Sequence, residues 1–427
     1  MFAKKINKLF NFNHKNYDYD SYGVLIDVGS GSVMTAIVHS NKNNKNPEII
    51  WHNRIMTTVK NIDSLQESLR PISVALFTSL LNLDSQGRKT LIQINKKAKI
   101  TDLYCTISAP WSKIVIKDIR YEREKPFLIT ETLLENLEHK AEMKIKDSLQ
   151  NDKNWKVTNL DLVDQNIIKL TANGYNVKNP FGQRAKHLNL SQANIVVHKK
   201  ISNKVRELQE KMFPGANLKM TSFTFAFLNS LKTEPLLKNK DSYWLLDITR
   251  EATEVGLIKQ GVLMCDDFIS FGQLSLAREV SFVTKRPIHE ILSFLNSNNP
   301  YGFTEKANKK QKAEIEKIFS SYIEKTSDLI QNIIKENEIS PKNVIFHTDF
   351  QSETLFYQLI NEAFDKANKN TKEDKTIEDG INLIPFSHTV LGQKRRLTSS
   401  GTYSDSALIV CSWFFHTNLW NNKIFIE

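Results

Sequence analysis

Residues 23–33 read Gly-Val-Leu-Ile-Asp-Val-Gly-Ser-Gly-Ser-Val: an apolar strand, an aspartate and a glycine–serine turn in eleven positions. The strand signal runs from Gly23 to Asp27, and a β-branched run from Val33 to His39 supplies the returning strand of a hairpin. The pattern recurs about 220 residues on. Trp244-Leu245-Leu246-Asp247 again ends in aspartate, and Val255 to Ile258 with Val262 to Cys265 forms a second hairpin. A tight turn aims backbone N–H groups at one point, which suits phosphate oxygens, and an aspartate at a strand end suits the water shell of Mg²⁺. Two such hairpins read as a duplicated α/β design.

Between the hairpins the chain carries its own small pattern. Thr101 to Ala109 and Lys113 to Ile119 read as a strand pair around Pro110 and Trp111. A helix follows over Thr132 to Ser148, opened by a Thr132/Glu135 capping box and showing Leu133, Leu134, Leu137 and Ala141 on one face. Strands at Trp155–Leu162 and Asn166–Ala172 precede the turn signals Asn173-Gly174 and Asn179-Pro180. Beyond Val196 come a helix at Ser202–Met212, a mostly helical stretch from Ile288 to Glu338, a strand at Asn343–His347, a helix from Ser352 to Asn368 and a charged linker to Asp379.

Taken in this order, the motifs resemble the actin-like family of the cell-division protein FtsA and the pilus-assembly protein PilM, over residues 20–420. Asp27-Val28-Gly29-Ser30-Gly31-Ser32-Val33 looks like the family's first phosphate loop. Thr101 to Glu142 looks like the start of FtsA's strand-helix-strand-strand insertion, and Asn173-Gly174-Tyr175 to Asn179-Pro180-Phe181-Gly182 like its close. Gly261-Val262-Leu263 and Ile269-Ser270-Phe271-Gly272 are placed as in the second phosphate hairpin and the glycine turn after it.

The resemblance implies an actin-like two-lobed ATPase fold, shared with sugar kinases and heat-shock chaperones, with an FtsA-type insertion. The expected divisions are a basic leader at 1–20, a first lobe at 21–97 and 188–240, the insertion at 98–187, and a second lobe at 241–427 with a helical subdomain at 280–340. It also implies a nucleotide site made by Asp27, Gly29, Ser30, Gly31 and Ser32 from one lobe and Asp247, Thr249, Arg250 and Thr253 from the other. Asp27 and Asp247 would hold Mg²⁺ through water.

The departures bear on function. In Asp247-Ile248-Thr249-Arg250-Glu251-Ala252-Thr253 the family's glycines are replaced by Thr249 and Arg250, whose Cβ atoms hinder close approach to phosphate and disfavour positive φ. The adenosine loop, a Gly-Gly pair in the family, reads Thr348-Asp349-Phe350-Gln351. The implied cofactor, ATP with Mg²⁺, is therefore expected to bind weakly at best, or not at all, with Arg250 itself available to a phosphate. A scaffold for division or pilus proteins, with self-association as a further expectation, is favoured over an ATP-using enzyme such as a sugar kinase, which needs those glycines. A chaperone is disfavoured because few residues follow Asp349.

Composition agrees with this reading. A length of 427 residues exceeds the roughly 250–300 at which one core stops growing, so two lobes are expected. Cys105, Cys265 and Cys411 form no CxxC pair, which speaks for a reducing cytoplasm and against a structural zinc site. The net charge of +11 is scattered along the chain, and the clusters at Lys306–Lys312 and Lys394–Arg396 lack interleaved aromatics, so no nucleic-acid partner is expected. The longest terminal apolar run, Ala407–Phe415, is too short to span a bilayer. A counterpart of FtsA's C-terminal amphipathic helix is not expected after Tyr403–Phe415, which reads as the final helix of the fold. The N-terminus offers a substitute, with Phe2, Ile6, Leu9 and Phe10 at helical spacing and Lys4, Lys5 and Lys8 among them. Attachment to an anionic membrane at its cytoplasmic face is the corresponding expectation.

Overall fold

The computed structural model describes residues 20–57, 65–151, 159–232, 234–238, 240–370, 380–393 and 405–420. In the first lobe, β1 (Asp20–Val28) pairs antiparallel with β2 (Ser32–Asn41), which pairs antiparallel with β3 (Glu48–Met56). Helices α1 (Leu65–Asn82) and α2 (Arg88–Ile94) lead into β4 (Ile100–Ile107), which lies parallel to β1.

A separate antiparallel sheet begins at β5 (Ser112–Leu128). Helix α3 (Glu131–Asn151) and strands β6 (Leu160–Ala172), β7 (Tyr175–Asn176) and β8 (Arg184–His198) complete it in the order β5-β8-β6-β7. Leu134, Leu137 and Ala141 of α3 cover Ile119, Leu170, Leu188 and Leu190 in a small core of their own. The cap of α3 is Thr130, whose Oγ1 accepts from Leu133 N at 3.2 Å, two residues before the expected Thr132.

Helix α4 (Lys199–Met212), β9 (Asn217–Ser222) and α5 (Phe223–Ser230) return the chain to the first lobe, where β9 lies parallel to β4. The second lobe repeats the scheme. β10 (Ser242–Ile248), β11 (Thr253–Lys259) and β12 (Val262–Ile269) form an antiparallel set, followed by helices α6 (Gln273–Thr284), α7 (Ile288–Leu295) and α8 (Lys309–Asn337). Then β13 (Asn343–His347), α9 (Glu353–Asn370), β14 (Asn382–Pro385), α10 (Val390–Gln393) and α11 (Ser406–Trp420) close the chain. The two sheets, β3-β2-β1-β4-β9 and β12-β11-β10-β13-β14, match strand for strand.

These sheets shift three expected boundaries. β4 and β5 do not pair with each other: β4, buried from Cys105 to Ile107, joins the first-lobe sheet, so the inserted module starts at Ser112 and not at 98. It ends at His198 and not at 187, because β8 continues to pair with β5 and β6 through Val197. Helix α11, expected in the second lobe, buries Leu408, Ile409, Val410, Cys411 and Phe415 in the core of the first. The leader residues Phe2, Lys4, Lys5, Ile6, Lys8, Leu9 and Phe10 lie outside the described residues, as do Lys394–Arg396 and the charged linker from residue 371 on.

Alternation along β10 joins the lobes. Trp244, Leu246 and Ile248 face the second lobe's helices, while Tyr243 and Leu245, with Ile258, Ile345, Ile384 and Phe386, belong to the same apolar cluster as the first-lobe strands. An apolar seam of this kind opposes free movement between the lobes.

Candidate functional site

Both strand-end aspartates reach the cleft, and each is bonded to its neighbour on the central parallel strand. Asp27 lies beside Thr106 in the β1–β4 register and accepts Thr106 Oγ1 at 3.0 Å. Asp247 lies beside His347 in the β10–β13 register, with His347 Nδ1 at 2.8 Å from its Oδ1. The duplication thus extends from the sheets to these side chains.

The first loop is a tight turn closed by Gly29 N donating to Ser32 O at 2.9 Å, with Trp111 Nε1 donating to Gly29 O at 3.2 Å. The second turn closes through Thr249 N to Ala252 O at 2.9 Å. Its carbonyls are consumed by helix α6: Gln273 N donates to Thr249 O at 3.2 Å and Leu274 N to Arg250 O at 2.7 Å. Gly272 has to be glycine, since a Cβ there would sit 2.8 Å from Ala252 N. None of the residues Thr249–Ala252 takes a positive φ, so the loop has the geometry open to ordinary L-residues.

The loops touch. Thr249 Oγ1 gives its proton to Ala252 O at 3.0 Å, so Ser30 Oγ donates to Thr249 Oγ1 at 2.7 Å and in turn accepts from Glu251 N at 2.9 Å. The aliphatic part of Arg250 lies on Gly31, where a Cβ would come within 2.7 Å of Arg250 Cδ. A phosphate chain between the loops would need these contacts to part.

Asp27 has a second partner that sequence reasoning missed. Arg54 of β3 donates Nη2 to Asp27 Oδ2 at 3.2 Å, Nε and Nη2 to Asp405 at 2.6 and 2.9 Å, and Nη1 to Ser32 Oγ at 2.7 Å. Burial pushes the Asp27 carboxyl up, against the pull of Arg54. Burial works likewise on Asp405, but Arg54 holds it below the usual carboxylate range. Burial alone would lower Arg54, and the two carboxylates instead raise it and keep it charged.

Two more unforeseen residues fix the second loop. Glu251 is 1 % exposed and accepts a two-point contact from Arg278, Nη1 to Oε1 at 2.8 Å and Nη2 to Oε2 at 2.7 Å, with Ser275 Oγ donating to Oε2 at 2.7 Å. No periodicity marks Arg54 or Arg278, and their partners are set by strand and helix packing rather than by spacing.

Of the expected site residues, Asp27, Gly29, Ser30, Gly31, Ser32, Asp247, Thr249 and Arg250 line one cavity of about 50 Å³. That is small beside the roughly 300–1,000 Å³ of ordinary ligand pockets. Thr253 does not belong to the set. It starts β11 opposite in phase to Glu254, the partner of Asp247, and its Oγ1 donates to Phe271 O at 2.9 Å and meets Tyr322 OH at 3.0 Å on the far side of the sheet. Where an adenosine loop would follow β13, Phe350 instead stacks on Phe386 at 6.0 Å and 15°, and Thr348 O accepts from Ser406 Oγ at 3.0 Å.

The paired sheets and the site at their junction define a two-lobed α/β protein of the actin-like ATPase fold. A solved structure similar to it is that of the PilM–PilN type IV pilus biogenesis complex, at TM-score 0.53 and 12 % identity, covering 92 % of this chain and 97 % of that one. Two others are the ethanolamine utilization protein EutJ from Carboxydothermus hydrogenoformans and a ROK family glucokinase from Streptomyces griseus. For EutJ the TM-score is 0.39 and the identity 10 %, covering 97 % of this chain and 100 % of that one. For the glucokinase the values are 0.40 and 8 %, covering 92 % and 98 %. No protein-family model matches the chain, and no curated protein matches it by sequence. No described helix is long and apolar enough to cross a membrane.

Proposed function

We propose that the chain is an actin-fold scaffold that organises a membrane-associated machine of the type IV pilus or cell-division kind through contacts with other proteins. The observation that carries this reading is the direct bond between the two phosphate loops, Ser30 Oγ to Thr249 Oγ1, with Arg250 seated on Gly31. An enzyme of this fold works by drawing a nucleotide's phosphates between those loops. Here the loops are each other's ligands. The structural likeness to PilM supports the choice of pilus assembly as one setting. The scattered basic charge and the leader Phe2–Phe10 support work at the cytoplasmic face of an anionic membrane.

The alternative, an ATP-using enzyme, draws support from Asp27 and Asp247 converging on one cavity. Calorimetric titration of the purified chain with Mg-ATP, together with a phosphate-release assay, separates the two. The scaffold reading expects no micromolar binding and no turnover. Micromolar binding that disappears in Asp27→Ala would replace it with the enzyme reading.

A further inference from the structure

Two carboxylates of the cleft, Asp27 and Asp405, converge on a cation that belongs to the chain itself. Arg54 fills the space beside Asp27 with a guanidinium whose three nitrogens all have partners, among them both oxygens of Asp405. Asp405 stands at the point where the chain passes from the second lobe into α11. Its Oδ1 also accepts from Leu408 N at 3.0 Å, while the next residue, Ser406, bonds to Thr348 O of the second lobe. One guanidinium therefore joins a first-lobe strand to the segment that touches both lobes.

We propose that Arg54 takes the place of the divalent cation at this site and ties β3 to the start of α11 without metal or nucleotide. The inference rests on the reading above in treating the cleft as closed to Mg-ATP, but it assigns the closure to a particular side chain. Magnesium asks for six oxygen ligands in near-octahedral array and keeps several waters. Asp27 already accepts from Thr106 and Arg54, and the site offers Mg²⁺ a fixed positive charge as its nearest neighbour. Guanidinium stays protonated at any ordinary pH and, unlike a bound ion, neither exchanges with solvent nor yields to a chelator.

The test is thermal melting of the full chain in EDTA and in millimolar Mg²⁺, for the wild type, Arg54→Met, and Arg54→Met combined with Asp405→Asn. The wild type should melt at the same temperature in both. Arg54→Met should melt several degrees lower in EDTA and recover much of the loss in Mg²⁺, because Asp27 and Asp405 then face each other without a cation. The added Asp405→Asn should remove that recovery. Stabilisation of the wild type by Mg²⁺ alone would overturn the proposal, and so would an Arg54→Met protein indifferent to Mg²⁺. Should Arg54→Met fail to fold, magnesium titration calorimetry of the wild type decides the matter, with silence expected and binding that is lost in Asp27→Asn refuting it. ATP that stabilises the wild type equally well in EDTA would sink the scaffold reading and leave the role of Arg54 standing.

Discussion

Ser30 and Thr249, 219 residues apart, share a hydrogen bond of 2.7 Å across the cleft between the lobes. Ser30 also receives the amide of Glu251, so one hydroxyl ties two residues of the opposite loop, on either side of Arg250. Ser30→Ala should cost about 1–2 kcal/mol, the ordinary effect of leaving a buried amide without its acceptor. Hydrogen exchange locates it: the Glu251 amide should lose protection while β10 and β13 keep theirs. Unchanged exchange at Glu251 would show that the loops are held together by something else.

Arg278 neutralises Glu251 from inside the second lobe, with the carboxylate 1 % exposed and Arg278 27 % exposed in their side chains. Arg278→Met leaves that charge buried without its partner, a loss of about 3 kcal/mol in urea unfolding. The double variant Arg278→Met with Glu251→Gln should recover part of it. Equal losses in the single and double variants would argue that Arg278 acts by packing alone.

Asp266 sits on β12 at the seam with the inserted module, where its Oδ2 accepts from Ile114 N of β5 at 3.2 Å and Lys113 pairs with the neighbouring Asp267 at 2.8 Å. Burial raises its carboxyl to about 7, against the lowering pull of Glu254, the Ile114 amide and Lys113. Glu254, which also faces Asp247, is pushed up by burial and by Asp266. A folded pKa above the unfolded value means that the folded chain keeps a proton that the unfolded chain releases. The associated stability is complete below the unfolded value near 3.8 and is lost as pH rises through about 7. Asp266→Asn keeps an acceptor for Ile114 and removes the titration, so its stability should fall less than that of the wild type between about pH 5 and about pH 8. Identical pH slopes for the two proteins would refute the assignment.

Gly23 permits the close approach of α11, since a Cβ there would run into the ring of Phe415. Gly23→Ala should destabilise the chain by about 1–3 kcal/mol through overpacking. Adding Phe415→Leu should restore part of this. A fully stable Gly23→Ala protein would mean that α11 can shift away at little cost.

The leader gives a prediction at the membrane. Removal of residues 1–15 should abolish cosedimentation with anionic vesicles at low salt, as Lys4, Lys5, Lys8 and Lys15 contribute about 1 kcal/mol each near such a surface. Equal binding of the full and shortened chains would assign attachment to another surface or to a partner.

The duplicated plan was legible because each lobe announces itself with an apolar strand ending in aspartate, and alternation fixes which way Asp27 and Asp247 point. The missing glycines at Thr249 and Arg250 announced a changed second loop. What those residues do instead was not legible: Arg250 lies flat on Gly31 only because the lobes meet, a fact of tertiary packing. Thr253 was misplaced for a simpler reason, since strand register decides which of two adjacent residues faces the cleft, and a one-residue change of phase reverses the answer. The Arg54–Asp405 pair spans 351 positions. The boundary between β4 and β5 failed because both stretches are apolar and flank a turn, a pattern that a hairpin and a sheet-to-sheet crossing share.

Helix α11 lies against β1, β2 and β4, so the last described helix completes the core begun by the first strands. During synthesis, therefore, the first lobe emerges from the ribosome long before the helix that covers it. Until α11 arrives, the face around Gly23 and Tyr104, on which Phe415 packs, has no lid, and the growing chain would depend on holding factors or on speed to escape association with its neighbours. A chain cut just short of α11 would hold every strand of the first-lobe sheet and still lack a finished first lobe.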